Sequence, residues 1–255
     1  FRSDGVYCYG PNTEFDGLAI QKMHKGDGHF ELECEELLLM PGIYYMSAAI
    51  WDQNETLAYD YHKCSYKLEI SGEPLCGQLL CLLNKWHRFQ FSALSDAKYM
   101  PNLDCLADKW GTQMNNNLVI FESLSFLNNY GYKDSIFLTG RDFKIKADFK
   151  IDARLQSSLK HLVLWIGIYR SDGIYCHGSI KKVASCGANS EILTYPKLKL
   201  LPGGYKVSLG IWDSNANVFL ACSHGTYSFN MISDKRDHGT VYLEHRWNWS
   251  VSKGE

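Results

Sequence analysis

Leu201-Pro202-Gly203-Gly204-Tyr205-Lys206-Val207-Ser208-Leu209-Gly210-Ile211-Trp212-Asp213-Ser214-Asn215 is a strand bracketed by its own turns. Pro-Gly opens it as a turn pair, and Asp and Asn close it with side chains suited to hydrogen-bond their own backbone. Between the turns Tyr205, Val207, Leu209 and Ile211 form one face and Lys206, Ser208, Gly210 and Trp212 the other, a period of two. The same stretch stands 161 residues earlier as Met40-Pro41-Gly42-Ile43-Tyr44-Tyr45-Met46-Ser47-Ala48-Ala49-Ile50-Trp51-Asp52-Gln53-Asn54, and that offset runs on through Tyr66 and Tyr227 to Trp86 and Trp247. Upstream, Phe1-Arg2-Ser3-Asp4-Gly5-Val6-Tyr7-Cys8-Tyr9-Gly10 returns as Tyr169-Arg170-Ser171-Asp172-Gly173-Ile174-Tyr175-Cys176-His177-Gly178 at an offset of 168. Two copies of one module are present.

The rest of the chain has the same period. Phe143, Ile145, Ala147, Phe149 and Ile151 alternate with polar residues, and turn signals recur about every ten residues. The only helical stretch suggested is a short one around Leu75 to Leu83. This pattern predicts an all-β fold, a β-sandwich repeated in tandem. The expected domains are 1–89, a linker at 90–117 rich in Asp, Asn, Ser and Met, and 118–249. About fifty strand-like residues, Leu118 to Ile168, precede the second copy's Arg-Ser-Asp-Gly block, whereas the first copy opens on that block, so the chain is expected to begin inside a module.

Composition narrows the function. The 255 residues carry 26 Lys+Arg against 28 Asp+Glu, which gives no electrostatic reason to expect nucleic acid. The longest apolar run, Leu162 to Tyr169, is far short of the roughly 20 residues that cross a bilayer. Nine scattered cysteines without a C-x-x-C pair argue for reduced thiols in a cytosolic protein, not a zinc knuckle or a disulfide frame. No metal or cofactor is expected.

Catalytic constellations are sparse. No phosphate-binding G-x-x-x-x-G-K-[ST] loop and no G-x-S-x-G elbow occur. The acidic run Glu31, Glu33, Glu35, Glu36 has Ile192, Thr194, Pro196 and Lys197 as second-copy counterparts, so it reads as a solvated strand face. Asp60 and His62 are the remaining candidates for acid-base work. Asp52 and Asp213 recur after a Trp in both copies, either capping a turn or contacting a sugar hydroxyl. Arg2/Arg170 and Asp4/Asp172 flank a tight turn with a local ion pair.

Aromatic residues make up 14% of the chain. Several fall on the strand face opposite the expected core: Tyr45 and Trp51 in the first copy, Trp165, Tyr169 and Trp212 in the second. Rings among small polar groups suit sugar C–H faces and hydroxyls, and equally suit a contact between sheets or modules.

Ile168-Tyr169-Arg170-Ser171-Asp172-Gly173, Leu200-Leu201-Pro202-Gly203-Gly204-Tyr205 with Gly210-Ile211-Trp212-Asp213, and Gly239-Thr240-Val241-Tyr242-Leu243-Glu244-His245-Arg246-Trp247 resemble the C-terminal carbohydrate-binding domain of Wzt-type proteins, the ATP-binding subunits of O-antigen polysaccharide ABC exporters. The likeness spans about 118 to 249 in full and 1 to about 89 without its opening strands. It implies an immunoglobulin-like β-sandwich, non-catalytic, that binds the non-reducing end of a finished, often capped, glycan in the cytoplasm, peripheral to the inner membrane. Partners implied are the polysaccharide terminus, an ATPase domain and a membrane subunit of the exporter, in lipopolysaccharide biosynthesis. Dimerisation by exchange of a terminal strand is implied too, and tandem modules offer an intrachain pseudo-dimer in place of a homodimer. The expected sugar site is Trp212, Trp165, Tyr169, Lys206, Ser208 and Asp213, with Tyr45, Trp51 and Asp52 in the first copy. The alternative is a structural or dimerisation module of a glycan-assembly protein such as a glycosyltransferase.

Overall fold

The computed structural model describes the chain except residues 19–27, 53, 55, 73–77, 81–84, 87–100, 102, 115–116, 235–236 and 252–255. It divides into two units, Phe1–Pro74 with Asp234–Glu255, and Leu75–Ser233.

The first unit opens with β1 (Tyr9–Gly10), β2 (Gly28–Cys34), β3 (Gly42–Trp51) and β4 (Ala58–Ile70). β3 and β4 form an antiparallel hairpin from Gly42↔Ile70 to Trp51↔Ala58. The Tyr44 hydroxyl donates to the Met40 carbonyl at 2.7 Å and ties the strand back onto its Pro-Gly turn. Tyr205 does the same to Leu201 at 2.8 Å, so the repeat extends to a tertiary contact.

The second unit is a sandwich. Its strands are β5 (Lys85–Trp86), β6 (Gln113–Met114), β7 (Val119–Leu127), β8 (Ile136–Leu138), β9 (Phe143–Ile151), β10 (Leu162–Arg170), β11 (Tyr175–Lys182), β12 (Gly187–Tyr195), β13 (Gly203–Asp213) and β14 (Val218–Ile232). One sheet runs β11-β10-β13-β14-β6 with β8 parallel on β14, and the other β5-β12-β9-β7. The alternation of β9 does what its sequence requires: Phe143, Ile145, Ala147, Phe149 and Ile151 are buried while the intervening residues reach the surface. Val207, Leu209, Ile211 and Phe229 are buried too, and Phe143 lies 4.7 Å from Phe229. Each fully buried side chain of this size contributes about 1.5–3 kcal/mol.

The first unit closes with β15 (His238–Gly239) on β1 and β16 (His245–Val251) on β2. Here the structure departs from the expected domains, because each copy's closing segment belongs to the other copy's unit. β5 pairs β12 with Trp86 opposite Leu193, and β16 pairs β2 with Trp247 opposite Leu32. These are equivalent registers, since Trp86 and Leu32 stand 161 residues before Trp247 and Leu193. Likewise the Leu79 and Leu80 amides donate to Tyr175 and Cys176, and those of Thr240 and Val241 to Cys8. The boundaries 1–89 and 118–249 are corrected accordingly: 75–86 sits in the second unit and 234–251 in the first. Period two specifies which face of a strand is buried but not which edge it pairs with. The linker is corrected as well. In its described part Leu103–Leu106 is a 3₁₀ turn with Leu106 buried, and Gln113–Met114 joins β14. The expected short helix lies largely outside the described residues, and Gln78–Leu80 is not helical.

Side chains secure both closing segments. His245 Nε2–H and Trp247 Nε1–H donate to one oxygen of Asp16, each at 2.8 Å, and the Tyr9 hydroxyl lies 2.7 Å from His245 Nδ1. In the second unit His177 Nδ1–H donates to the Leu80 carbonyl at 3.1 Å and Gln78 accepts from the Gly178 amide at 2.8 Å. The described cysteines are free thiols, and Cys76 and Cys81 lie outside the described residues.

Burial holds the His177 imidazole down at about 4. An unfolded histidine binds its proton near 6.5, so acidification favours the unfolded second unit as pH falls from about 6.5 to about 4. Urea midpoints measured across that window are expected to fall with pH, and less steeply in His177→Gln.

Candidate functional site

The outer face of β13 is covered from Ser208 to Trp212. Trp165, Trp212, Tyr169 and Ser208 are all buried. Trp165, Trp212 and Tyr169 belong to a second apolar cluster with Leu106, Val163, Ile180 and Cys222, against which Leu103, Trp110, Met114, Tyr175 and Phe219 pack. Trp212 lies 4.8 Å from Phe219, and Trp110 stands edge-on to Tyr169 at 5.2 Å and to His224 at 5.0 Å. The expectation of a second-copy sugar platform at Trp212, Trp165, Tyr169 and Ser208 is therefore corrected. The segment 103–114 covers that face, and its signal was legible: Leu103, Leu106, Trp110 and Met114 recur at helical spacing among the polar residues.

The polar groups beneath this cover are already engaged. Ser208 Oγ accepts from the Gly225 amide at 2.9 Å and lies 2.8 Å from His224 Nδ1. Burial lowers the His224 pKa, raises that of Tyr169, and pushes the Cys222 thiol up to about 12. All three are held in their neutral forms, as packing groups are. Lys206, half-buried, places its ammonium 5.2 Å from the Trp110 ring centre.

Asp52 and Asp213 are turn caps. Asp52 accepts from the Leu57 amide at 2.8 Å and from the Thr56 amide at 2.7 Å and hydroxyl at 2.8 Å, bonds that hold its carboxyl below the ordinary range. Asp213 accepts from the Asn215 and Ala216 amides at 2.9 and 3.1 Å. Arg2–Asp4 and Arg170–Asp172 are local pairs across turns in which Gly5 and Gly173 take φ of +88° and +92°.

The first copy presents the same face uncovered. Trp51 is 45% exposed and Tyr61 48%, with ring centres 6.0 Å apart, and half-buried Tyr45 shares their side of the hairpin. A pair of bulge residues distinguishes the copies. Gly225 takes φ +63°, and a Cβ there would stand 3.1 Å from three Trp110 ring atoms. The first copy has Cys64 at that position, at φ +50°, with the same hydrogen bond from its amide to Ser47 Oγ at 2.8 Å. Its Cβ takes the position that at 225 would crowd the Trp110 ring. Tyr61 stands where the second copy has buried Cys222, so residues shared by both copies do not point to it.

On the opposite face of the hairpin His62 contacts Asp60 at 3.3 Å and the Tyr66 hydroxyl, all three being exposed. No group of three or more metal-ligating side chains occurs among the described residues, and no described helix is long and apolar enough to cross a membrane.

Gly225→Ala is expected to destabilise the second unit by roughly 1–2 kcal/mol, from the left-handed backbone and the approach to Trp110 together. Chemical denaturation followed by tryptophan fluorescence measures it, and Trp110→Ala in the same chain should reduce the penalty.

No curated protein matches the chain. Among solved structures it is similar to the crystal structure of the C-terminal domain of Wzt, at 12% identity over 61% of this chain and 97% of that one, with a TM-score of 0.43. A second similarity is to Bacteroides uniformis beta-glucuronidase, at 15% identity over 52% of this chain and 12% of that one, with a TM-score of 0.23. Both are distant, and the stronger finding is at the level of sequence. Residues 112–243, a little over half of the chain, match the Wzt C-terminal domain, and the chain belongs to that family.

Proposed function

We propose that this chain is a non-catalytic carbohydrate-binding region that reads the non-reducing end of an O-antigen-type polysaccharide, capped or uncapped, and couples it to export by an ABC transporter. Family membership supports a carbohydrate-binding role in that setting. The observation that carries the site is the exposed pair Trp51 and Tyr61, with Tyr45 beside them on one strand face, where the second copy's counterpart is sealed. Two tilted rings 6.0 Å apart offer apolar surface to sugar C–H faces. The exporter's ATPase domain and membrane subunit are the partners this reading implies.

Calorimetric titration with capped and uncapped polysaccharide ends tests it. Trp51→Ala is expected to weaken binding about tenfold, a loss of about 1.4 kcal/mol, with the melting temperature unchanged because the ring is exposed. Trp212→Ala should instead lower the melting temperature sharply, with affinity retained in the folded fraction. Unaltered affinity in folded Trp51→Ala would count against the site. A change in oligomeric mass in place of affinity would assign the face to assembly.

A further inference from the structure

The segment 103–114 that covers β13 is a strap fastened mainly at one residue. From 103 to 110 it turns Leu103, Leu106 and Trp110 toward the sheet, and Asp104, Cys105, Ala107, Asp108 and Lys109 are exposed. The amide bonds of Ala107 to Asp104 and of Lys109 to Leu106 close within the strap itself. Its backbone reaches β14 at His224, whose carbonyl accepts from the Gly111 amide at 2.8 Å and whose amide donates to the Thr112 carbonyl at 2.9 Å. The Gln113–Ser223 and Met114–Cys222 rungs follow. The His224 side chain grips the same segment from below: the residue is 6% exposed, and its ring meets Trp110 edge-on at 5.0 Å and Tyr169 at 5.2 Å. Ser208 Oγ already accepts from the Gly225 amide, which leaves its own proton for His224 Nδ1, 2.8 Å away, a bond that suits a neutral ring.

The surroundings offer an imidazolium nothing in return. Around the ring stand Tyr169 from β10, Lys206 from β13 with its ammonium 5.2 Å from the Trp110 ring centre, Cys222 on β14, and Cys105 and Lys109 from the strap, which act on Cys222. Among the described residues no carboxylate touches the imidazole, and the strap's own Asp104 and Asp108 are exposed. We propose that His224 is a proton-operated catch: a proton on its ring lifts residues 103–112 from β14 and bares the aromatic face of Trp165, Tyr169 and Trp212, while Gln113 and Met114 stay paired. An imidazole in water binds its proton near 6.5, and burial beneath the strap lowers that affinity. The lifted form therefore takes up the proton first, and its share grows as pH falls below about 6.5. The bared rings lie on the strand face that carries Trp51 in the first copy, and the catch works in the same way whatever that face binds.

Amide hydrogen exchange of the full chain from pH 7 to pH 5, corrected for the intrinsic pH dependence of exchange, tests the catch. The Gly111 and His224 amides are expected to be less protected than those of Phe143–Ile151 and to exchange about tenfold faster at pH 5 than at pH 7. In His224→Gln, which keeps an acceptor for Ser208 but cannot take the proton, the Gly111 rate should stay constant across the range. Protection at Gly111 equal to that of the Phe143–Ile151 amides would mean that the strap leaves only when the whole unit unfolds, and overturns the proposal. Corrected rates that do not change with pH overturn it too, and these two outcomes are read from the unsubstituted chain whether or not the variant folds. Acceleration that persists in a folded His224→Gln assigns the effect to another group and overturns it as well.

Discussion

A β-strand carries a row of amides and carbonyls along each edge, and every row must find a partner or water. The two copies satisfy one such requirement reciprocally. β12 takes its outer partner from the closing segment of the first copy, and β2 takes its partner from the closing segment of the second, with Trp86 opposite Leu193 and Trp247 opposite Leu32. Because the receiving edges and the arriving segments are repeats of one another, the exchange replaces each contact with an equivalent one and costs little. Both closing segments are then fixed by side chains particular to their destination: Asp16 for His245 and Trp247, His177 and Gln78 for the backbone around Leu80 and Gly178.

The same repeat produces two unlike surfaces. Above β13, glycine at 225 admits the Trp110 ring, and Gly210 admits Phe219, whose ring would lie 2.5 Å from a Cβ at that position. The corresponding first-copy residues are Cys64 and Ala49, and Ala58 stands in place of Phe219. A Cβ at two positions where the second copy has glycine, and alanine in place of the Phe219 ring, thus leave the first-copy face differently packed. What remains is a flat strand surface bearing Trp51 and Tyr61. A backbone feature common to both copies, the bulge held by Ser47 or Ser208, carries glycine beneath the Trp110 ring in one copy and cysteine in the other.

Much of the fold was legible in the sequence. The alternation of Phe143 to Ile151, the Pro-Gly turns and the repeated Tyr-x-x-x-x-x-x-Trp-Asp strand gave the strands, their faces and the two copies, because local periodicity encodes which side of a strand is buried. Edge pairing was not legible, since Lys85–Trp86 suits the edge of β2 and that of β12 equally. The site was half legible. Trp212 and Trp51 occupy identical sequence contexts, and their opposite burial follows from residues 103–114, whose Leu103, Leu106, Trp110 and Met114 are spaced for one face but diluted by Asp and Asn. Turn capping by Asp52 and Asp213 was among the readings the sequence allowed, and the backbone amides chose it.

Non-equivalence of the copies bears on how tightly such a chain can hold a glycan. Two sealed or two open faces would make the copies alike; one of each makes the chain monovalent on the proposed reading. Aromatic contacts supply about 0.5–1.5 kcal/mol apiece beyond the area they bury, which sets a modest ceiling for a two-ring platform. Tighter engagement then requires a second chain, whose site raises the local concentration of binding groups without any new contact within the first. With the intrachain exchange already occupying both closing segments, on this reading that second chain is recruited through another surface.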